Sequence, residues 1–322
     1  MMHLTVEDSS GKTCAFHEKK AREHEGCHLG GGSFGEVFKA THKVHGEVAV
    51  KLAKPGKEDL VEMYQKEVRK HGISLTSDHI VAIKGFVQCE VHRGKCGLFG
   101  IVMKYMENGS LWDFRKRRWQ DHPDLWPLTN RMVYEISCGM HFLHSNDIIH
   151  RDLKLENVLV DGNLHAKIAD LGLAADLRTS FGDRCWGTDS HKPPEAFRTD
   201  LSKSIKVVNP KYDVYSFAMT LYELLTGIHP YAERGLEMVK VFKLSDQAPC
   251  LKPVPVNTPT PLIKVMTDSW RYAANSRPAF IEITDWVKNQ LNIKPTHRSL
   301  GICLGEVSLF VIVALVFILY CM

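Results

Sequence analysis

The stretch that decides the fold is His150-Arg151-Asp152-Leu153-Lys154-Leu155-Glu156-Asn157, near the middle of the 322-residue chain. Before it, residues 129–146 have apolar side chains at the spacing of one helix face. After it, residues 157–170 alternate as a hairpin does, with Asp161-Gly162-Asn163 as the turn. The stretch therefore lies between a predicted helix and a predicted hairpin. It brings a carboxylate, an ammonium group and a carboxamide into one short segment.

The composition sets broad limits on the class of protein. Lysine and arginine number 41 against 37 acidic residues, and the net charge of +4 is too small to indicate a nucleic-acid partner. The chain is 44% hydrophobic, enough for a buried core, and its length suits about two folded units. Its nine cysteines include no C-x-x-C pair, which favours reduced thiols in the cytosol. The histidines show no metal-ligand spacing.

The pattern changes from sheet to helix at Asn108-Gly109. Before this point we predict strands and one helix, with the strands over residues 28–40 (around a glycine-rich turn), 47–52, 80–87 and 98–103, and the helix over 58–75. After it we predict helices over 129–146, 213–226 and about 262–272. Gly227 is the residue expected just past the C-terminus of the second of these.

The glycine-rich segment is Gly30-Gly31-Gly32-Ser33-Phe34-Gly35, which fits G-x-G-x-x-G. Glycines let backbone amides approach phosphate oxygens, because no side chain intervenes. A dinucleotide-binding fold would place a helix directly after the glycines. Here Val37 begins a stretch that is typical of a strand, which favours a loop folded over ATP.

Val48-Ala49-Val50-Lys51 follows as a short apolar strand that ends in a lysine. Lys51 is a candidate to contact the α- and β-phosphates, and a flexible ammonium group would need a carboxylate to orient it. Glu67 on the predicted helix is the expected partner, with Glu62 as the alternative. The other interpretation is a surface lysine at the end of a strand.

Taken in order, these motifs resemble those of eukaryotic protein kinases over roughly residues 24 to 290. The C-terminal part of the set is Asp170-Leu171-Gly172, Pro193-Pro194-Glu195, Asp213 and Arg277. The resemblance implies an α+β bilobal kinase fold, with a small β-rich N-lobe carrying one main helix and a larger helical C-lobe. It also implies ATP and Mg²⁺ as cofactors and proteins as substrates.

The resemblance further implies a role for each polar group. Asp152 would orient the acceptor hydroxyl, and Lys154 would contact the γ-phosphate. Asn157 and Asp170 would supply oxygen ligands to Mg²⁺. Other positions are implied to form the adenine site, namely Val37, Ala49 and Leu159 around the base, Met103 behind it, and Lys104-Tyr105-Met106 as the hinge. Glu195 with Arg277 is implied to be a buried ion pair. Asp213 is implied to hold the backbone of residues 150–157, called the catalytic loop.

Finer features resemble the receptor-interacting protein kinases, of the tyrosine-kinase-like group of serine/threonine kinases. Leu171 stands where most kinases have Phe, and Lys154 and Gly187-Thr188 fit the serine/threonine pattern. This implies transfer of the γ-phosphoryl group of ATP to serine or threonine in intracellular signalling. The alternative is a pseudokinase scaffold, whose usual mark is loss of Lys51, Asp152 or Asp170; all three are present.

Two surface features have open interpretations. Control by phosphorylation would place a phosphate near Arg151, and the candidate hydroxyls are Thr179, Ser180, Thr188 and Ser190. For each of them, the alternative is an unmodified loop hydroxyl. The basic run Arg115–Arg118 fits a solvated helix face better than a docking patch. Pro193 departs from the usual alanine before Pro194-Glu195.

The predicted organisation is a polar leader (1–23), an N-lobe (24–108), a C-lobe (109–291), a linker (292–299) and an apolar helical tail (300–322). Residues 307–322 carry no charge, and a membrane span needs about 20 apolar residues. The tail is therefore predicted to be a single-pass anchor, with the kinase in the cytoplasm. The alternatives are a helix that docks on a partner and an uncertain coding-sequence boundary. The sequence leaves open whether the protein forms a homo-oligomer.

Overall fold

The computed structural model describes residues 4–8, 13–16, 28–31, 35–42, 44–53, 77–89, 99–118, 125–176, 187–198, 209–232, 234–245 and 253–293. The predicted helix over 58–75, with Glu62 and Glu67, lies outside the described residues. So do Gly32, Ser33 and Phe34, the candidate phosphorylation sites Thr179 and Ser180, and the apolar tail 300–322.

The N-terminal half is built on an antiparallel sheet of seven strands. They are β1 (Leu4–Asp8), β2 (Thr13–Phe16), β3 (His28–Gly31), β4 (Gly35–His42), β5 (Gly46–Ala53), β6 (Ile83–Cys89) and β7 (Phe99–Lys104). Their order is β2-β1-β6-β7-β5-β4-β3. The strands predicted from residue 28 onward are confirmed, with ends shifted by a few residues.

The register of the sheet places the predicted nucleotide-site residues on adjacent strands. Gly31 pairs with Glu36, so β3 and β4 form a hairpin at the glycine-rich turn. Val37 stands opposite Lys51, and Ala49 stands opposite Met103. One region of the sheet therefore carries glycines of the turn, the candidate lysine and three of the apolar residues.

The expectation of a loose leader over residues 1–23 is wrong for two segments. Strand β1 pairs with β6 at the edge of the sheet, and β2 pairs with β1. Leu4 to Glu7 alternate between apolar and polar residues over only four positions, and Thr13–Phe16 do not alternate, so the sequence signal for these strands is weak. Without β1, strand β6 would have unpaired backbone groups along the edge of the sheet. Main-chain hydrogen bonds to these groups stabilise β1 although its sequence signal is weak.

The C-terminal half is mainly helical, with an extensive apolar core. Its helices are α1 (Leu111–Arg118), α2 (Trp126–Ser145), α3 (Pro210–Thr226), α4 (Leu236–Leu244), α5 (Thr260–Ser269) and α6 (Phe280–Gln290). Short strands complete it: β8 (Ile148–Ile149) pairs with β11 (Ala175–Asp176), and β9 (Val158–Val160) pairs with β10 (Ala166–Ile168). The predicted hairpin and the predicted helices are confirmed.

Helix α3 is the central element of this half, because fourteen of its seventeen residues, Tyr212 to Leu225, are buried. The Asn209 side chain caps its N-terminus by accepting a hydrogen bond from the Lys211 amide. Gly227 ends it with a φ of 72°, a left-handed conformation that glycine adopts without steric cost.

The solvated interpretation of the run Arg115–Arg118 is wrong for Arg115. Its Nε donates to the carbonyl of Leu224 at 2.6 Å, at the C-terminal end of α3. Burial lowers the pKa of Arg115 to about 10. The next three basic residues of α1 are exposed, as predicted. A charge run does not reveal which member meets the free carbonyls of a helix end.

Among the residues described above, no helix is both long and apolar enough to cross a bilayer.

Candidate active site

The backbone of the catalytic loop is held by Asp213 of helix α3. One carboxylate oxygen accepts the amide of His150 and the other accepts that of Arg151, both at 2.8 Å. His144 Nε2 lies 2.8 Å from the same carboxylate, which is fully buried. Arg151 has a φ of 69°, so the loop turns sharply before Asp152. The expected contact between Asp213 and the loop is confirmed.

Asp152 lies at the centre of a network of donors. Asn157 Nδ2 donates to the Asp152 carbonyl at 2.7 Å and to its Oδ2 at 3.1 Å. The amide and the hydroxyl of Thr188 donate to Oδ1 at 2.9 and 2.7 Å. Lys154 Nζ lies 3.3 Å from Oδ2 and donates to the Thr188 hydroxyl at 2.8 Å. Three predicted site residues therefore meet, and Thr188 joins them.

Lys51 reaches across from β5 to Asp170. Its Nζ lies 2.6 Å from Asp170 Oδ1, and the Lys51 residue is only 8% exposed. Burial opposes ionisation of Asp170, but the charge of Lys51 and its hydrogen bond outweigh it and lower the pKa of that carboxyl. Asp170 has a φ of 57° and precedes a short 3₁₀ turn, Leu171–Leu173.

The donor set at Asn157 and Asp170 fits a hard cation. Asn157 uses its amide nitrogen on Asp152, which leaves its carbonyl oxygen as the atom for a ligand. The Asp170 side chain is about one-third exposed, at 34%. Mg²⁺ prefers oxygen ligands and is usually held by one or two protein groups together with water and phosphate. The described part of the chain contains no cluster of three or more His, Cys, Asp or Glu residues suited to a metal.

Three of the predicted adenine-site residues belong to or border a small apolar cluster separate from the main core. Val81, Met106 and Ala169 form it, and Met103 and Leu159 pack against it. The hinge is tied at both ends, because the Lys104 amide donates to the Ala82 carbonyl and the Gly109 amide donates to that of Met106, at 2.9 and 3.0 Å. The Lys39 ammonium lies 4.2 Å from the centroid of the Tyr105 ring.

Residues 187–192, which contain Thr188, are called the docking loop. Gly187 has a φ of 115°, and a Cβ there would lie 2.3 Å from the Arg151 carbonyl oxygen, so the close approach requires glycine.

After the docking loop, Arg277 donates to both carboxylate oxygens of Glu195 at 2.7 and 2.9 Å. The expected buried ion pair is confirmed.

A family profile described as "Protein tyrosine and serine/threonine kinase" matches residues 24–287. The chain belongs to this protein kinase family. It is 33% identical over 270 residues to human ankyrin repeat and protein kinase domain-containing protein 1, covering 79% of this chain and 33% of the relative.

Two further relatives carry kinase names. Mouse receptor-interacting serine/threonine-protein kinase 4 is 33% identical over 270 residues, covering 80% of this chain and 32% of the relative. Serine/threonine-protein kinase STY17 of Arabidopsis thaliana is 30% identical over 265 residues, covering 81% and 43%. The chain spans about a third of the length of the first two relatives.

The candidate phosphorylation sites of this kinase lie in different environments. Arg151, the residue near which a phosphate was expected, donates from Nε to the Leu173 carbonyl. Thr188 is bound to Asp152 and Lys154, as given above, and Ser190 Oγ lies 3.0 Å from His191 Nδ1. A phosphate on Thr188 would break the contact with the Asp152 carboxylate, because it adds negative charge beside a carboxylate. This argues against Thr188 as an activating site.

A buried acid of helix α3 also contacts the docking loop. Glu223 Oε2 lies 3.1 Å from His191 Nε2, and its Oε1 lies 2.6 Å from His229 Nδ1. Burial opposes ionisation of Glu223, but the two histidines outweigh it and lower its pKa to about 2. The hydrogen bond to Glu223 raises the pKa of His229. Sequence motifs gave no sign of this cluster, because His191 comes from a different segment of the chain than Glu223 and His229.

Proposed function

We propose that the chain is a protein kinase that transfers the γ-phosphoryl group of ATP to serine and threonine hydroxyls. The observation that carries the proposal is the meeting of Asp152, Lys154, Asn157 and Thr188 at one point, with the Lys51–Asp170 pair as its counterpart on the nucleotide side. Phosphoryl transfer needs positioned groups and compensated charge more than covalent chemistry by the protein. This arrangement supplies both.

In this mechanism Asp152 accepts a hydrogen bond from the acceptor hydroxyl and directs its oxygen toward the γ-phosphorus. Four described donors already surround the carboxylate, which has about four acceptor sites. Of the four, the Lys154 ammonium makes the longest contact with the carboxylate, at 3.3 Å from Oδ2. Its ammonium would move to the γ-phosphate when the substrates bind, which frees a site on Asp152 for the hydroxyl.

The remaining site residues act on the nucleotide. Lys51 would bind the α- and β-phosphates, with Glu67 as its proposed orienting partner. Gly30 to Gly35 would cover the phosphates, and the base would lie among Val37, Ala49, Leu159 and Met103, with hydrogen bonds from the hinge 104–106. Asn157 and Asp170 would hold Mg²⁺, which supplies neutralisation of phosphate charge when bound.

Serine and threonine are favoured as acceptors by three points. Two relatives carry serine/threonine kinase names. Lys154 fits the pattern of that class, and its ammonium lies on the Thr188 hydroxyl. The pseudokinase alternative is not favoured, because the lysine and both aspartates that it usually loses are present.

The test compares the purified full chain with Asp152→Asn, a substitution that keeps the side-chain shape. We expect labelled phosphate from Mg-ATP to be incorporated into a generic protein substrate and recovered as phosphoserine and phosphothreonine. The Asp152→Asn rate should be lower by about a hundredfold or more, since general-base positioning contributes on that scale. Equal incorporation by the two proteins would contradict the proposal.

We also infer, from the sequence of residues 300–322, that this tail anchors the kinase at a membrane. The uncharged run 307–322 supports the inference, and Lys294, His297 and Arg298 upstream favour a cytosolic position for that side. The full chain should fractionate with membranes, and a version ending at Arg298 should not. If both fractionate with the soluble proteins, the anchor is excluded.

A further inference from the structure

Helix α4 contributes a buried lysine to the region beneath the docking loop. Lys243 is 2% exposed. Its Nζ donates to the carbonyl of Ser190 at 2.9 Å and also to that of Lys192. The two carbonyls flank His191, so one ammonium group binds the docking loop on both sides of that residue.

Three aromatic rings enclose the same ammonium group. The ring centroids of Tyr215, Tyr231 and Phe197 lie 4.8, 5.3 and 5.7 Å from Lys243 Nζ. Aromatic faces attract cations most strongly where water is excluded. These contacts offset part of the cost of burying a charge.

The acidic groups nearby are engaged elsewhere. Asp189 pairs with Lys192 at 2.6 Å, and Glu195 pairs with Arg277. Among the described residues, the oxygens that accept hydrogen bonds from Lys243 are both main-chain carbonyls. Burial lowers the pKa of Lys243 well below its ordinary value, and attraction to Asp189 and Glu195 offsets only part of this.

A buried ammonium group is a costly way to fill this position. Methionine has a similar length and would fill it without removing a charge from water. What lysine adds is the pair of hydrogen bonds to the loop. The His191 carbonyl between them is also bound, because Ser216 Oγ donates to it at 3.1 Å. Three successive carbonyls of the docking loop are thus held by helices α3 and α4.

The other end of the docking loop is bound to the catalytic loop through Thr188, as described above. A protein acceptor must reach Asp152 alongside these residues. We propose that Lys243 is a positioning residue that holds the docking loop in the form that accepts protein substrates. The proposal deepens the proposed kinase function and rests on it.

The test uses the full chain with Lys243→Met, and Lys240→Met on the same helix as a matched control. Hydrogen–deuterium exchange of residues 187–192 should be about tenfold faster in Lys243→Met, because the loop loses two hydrogen bonds from a charged group. The control should exchange as the wild type does. Unchanged exchange would overturn the proposal whether or not the chain has kinase activity.

Kinetics separate positioning from a merely structural role. In Lys243→Met, KM for the protein acceptor should rise about tenfold while KM for ATP stays unchanged. The melting temperature should change little, because methionine avoids the cost of a buried charge but also leaves two loop carbonyls without their donor. An acceptor KM within twofold of that of Lys240→Met would overturn the proposal.

The wild type provides an independent measurement if Lys243→Met does not fold. The ammonium group faces the charged groups of Asp189, Glu195, Lys192 and Arg277 and the rings of Tyr215 and Tyr231. At alkaline pH it loses its proton before an exposed lysine would, and its hydrogen bonds to the two carbonyls then lose their charge assistance. KM for the acceptor should therefore rise from neutral to alkaline pH while KM for ATP stays constant. A constant acceptor KM over that range would overturn the proposal.

Discussion

Thr188 of the docking loop connects the side chains of Asp152 and Lys154, which belong to the catalytic loop. Its hydroxyl donates to Asp152 Oδ1 at 2.7 Å and accepts from Lys154 Nζ at 2.8 Å. A hydroxyl has one hydrogen to donate and lone pairs to accept with, so it can bridge an acid and an ammonium group at once. Valine, which has the same shape, can do neither.

We expect Thr188→Val to lower kcat/KM for the protein acceptor by about tenfold, because Asp152 and Lys154 each lose a hydrogen-bond partner. Thr188→Ser keeps the hydroxyl and serves as the control, with activity close to wild type. Melting temperatures of both variants check that they are folded. Wild-type kinetics in the valine variant would show that the bridge is dispensable.

The polar residues of the site differ in how far the sequence could predict them. Asp152, Lys154 and Asn157 form a local motif, so their chemistry is visible in a few consecutive letters. Thr188 lies 36 residues beyond Asp152, and its contact depends on how the chain returns. His191 and Glu223 meet for the same reason, and no local pattern encodes such a pairing.

Helix α3 is the element that connects both loops of the site. Its side chains bind the catalytic loop through Asp213 and through Thr220 Oγ1, which donates to the Leu153 carbonyl at 3.2 Å. They bind the docking loop through Ser216 and Glu223. The sequence predicted the contact of Asp213 with the catalytic loop, whereas the contacts of Ser216, Thr220 and Glu223 from the same helix were not predicted.

The Glu223 cluster predicts two pH windows for stability. The pKa of Glu223 is lowered from 4.5 to about 2, so its contribution is present above 4.5 and is lost as the pH falls toward 2. The pKa of His229 is raised above 6.5, so its contribution is full below 6.5 and is lost as the pH rises through the raised value.

Urea unfolding across pH measures both windows. We expect His229→Gln to reduce the loss of unfolding free energy on the alkaline side, because the titrating partner of Glu223 is gone. His141→Gln, a partly exposed histidine on α2, is the matched control and should behave as the wild type does. Parallel pH profiles for wild type and His229→Gln would contradict the assignment.

The ends of the elements show where sequence patterns suffice. Gly227 marks the end of α3, because a left-handed residue is needed there and glycine supplies it. The pairing of β1 with β6 could not be predicted, because it depends on a free sheet edge far along the chain. Arg115 is similar, since its target is the end of another helix.

The whole molecule joins its sheet half to its helical half through main-chain bonds as well as through Lys51. The Val81 amide donates to the Ile168 carbonyl at 2.9 Å, and the Ile168 amide donates to that of His79 at 2.8 Å. Helix α2 approaches the same point at Gly139, where a Cβ would lie 2.8 Å from the Ile168 side chain. The change from strands to helices at residue 108 was predictable from the sequence pattern, whereas this junction was not.

The contacts of helix α3 have a mechanical consequence. Asp213 and Thr220 bind the loop that carries Asp152, and Ser216 binds the docking loop. Because both segments are bound to one helix, they would shift together whenever the helix shifts as a rigid body. We therefore expect the separation between Asp152 and the docking loop to be insensitive to such motion of the scaffold.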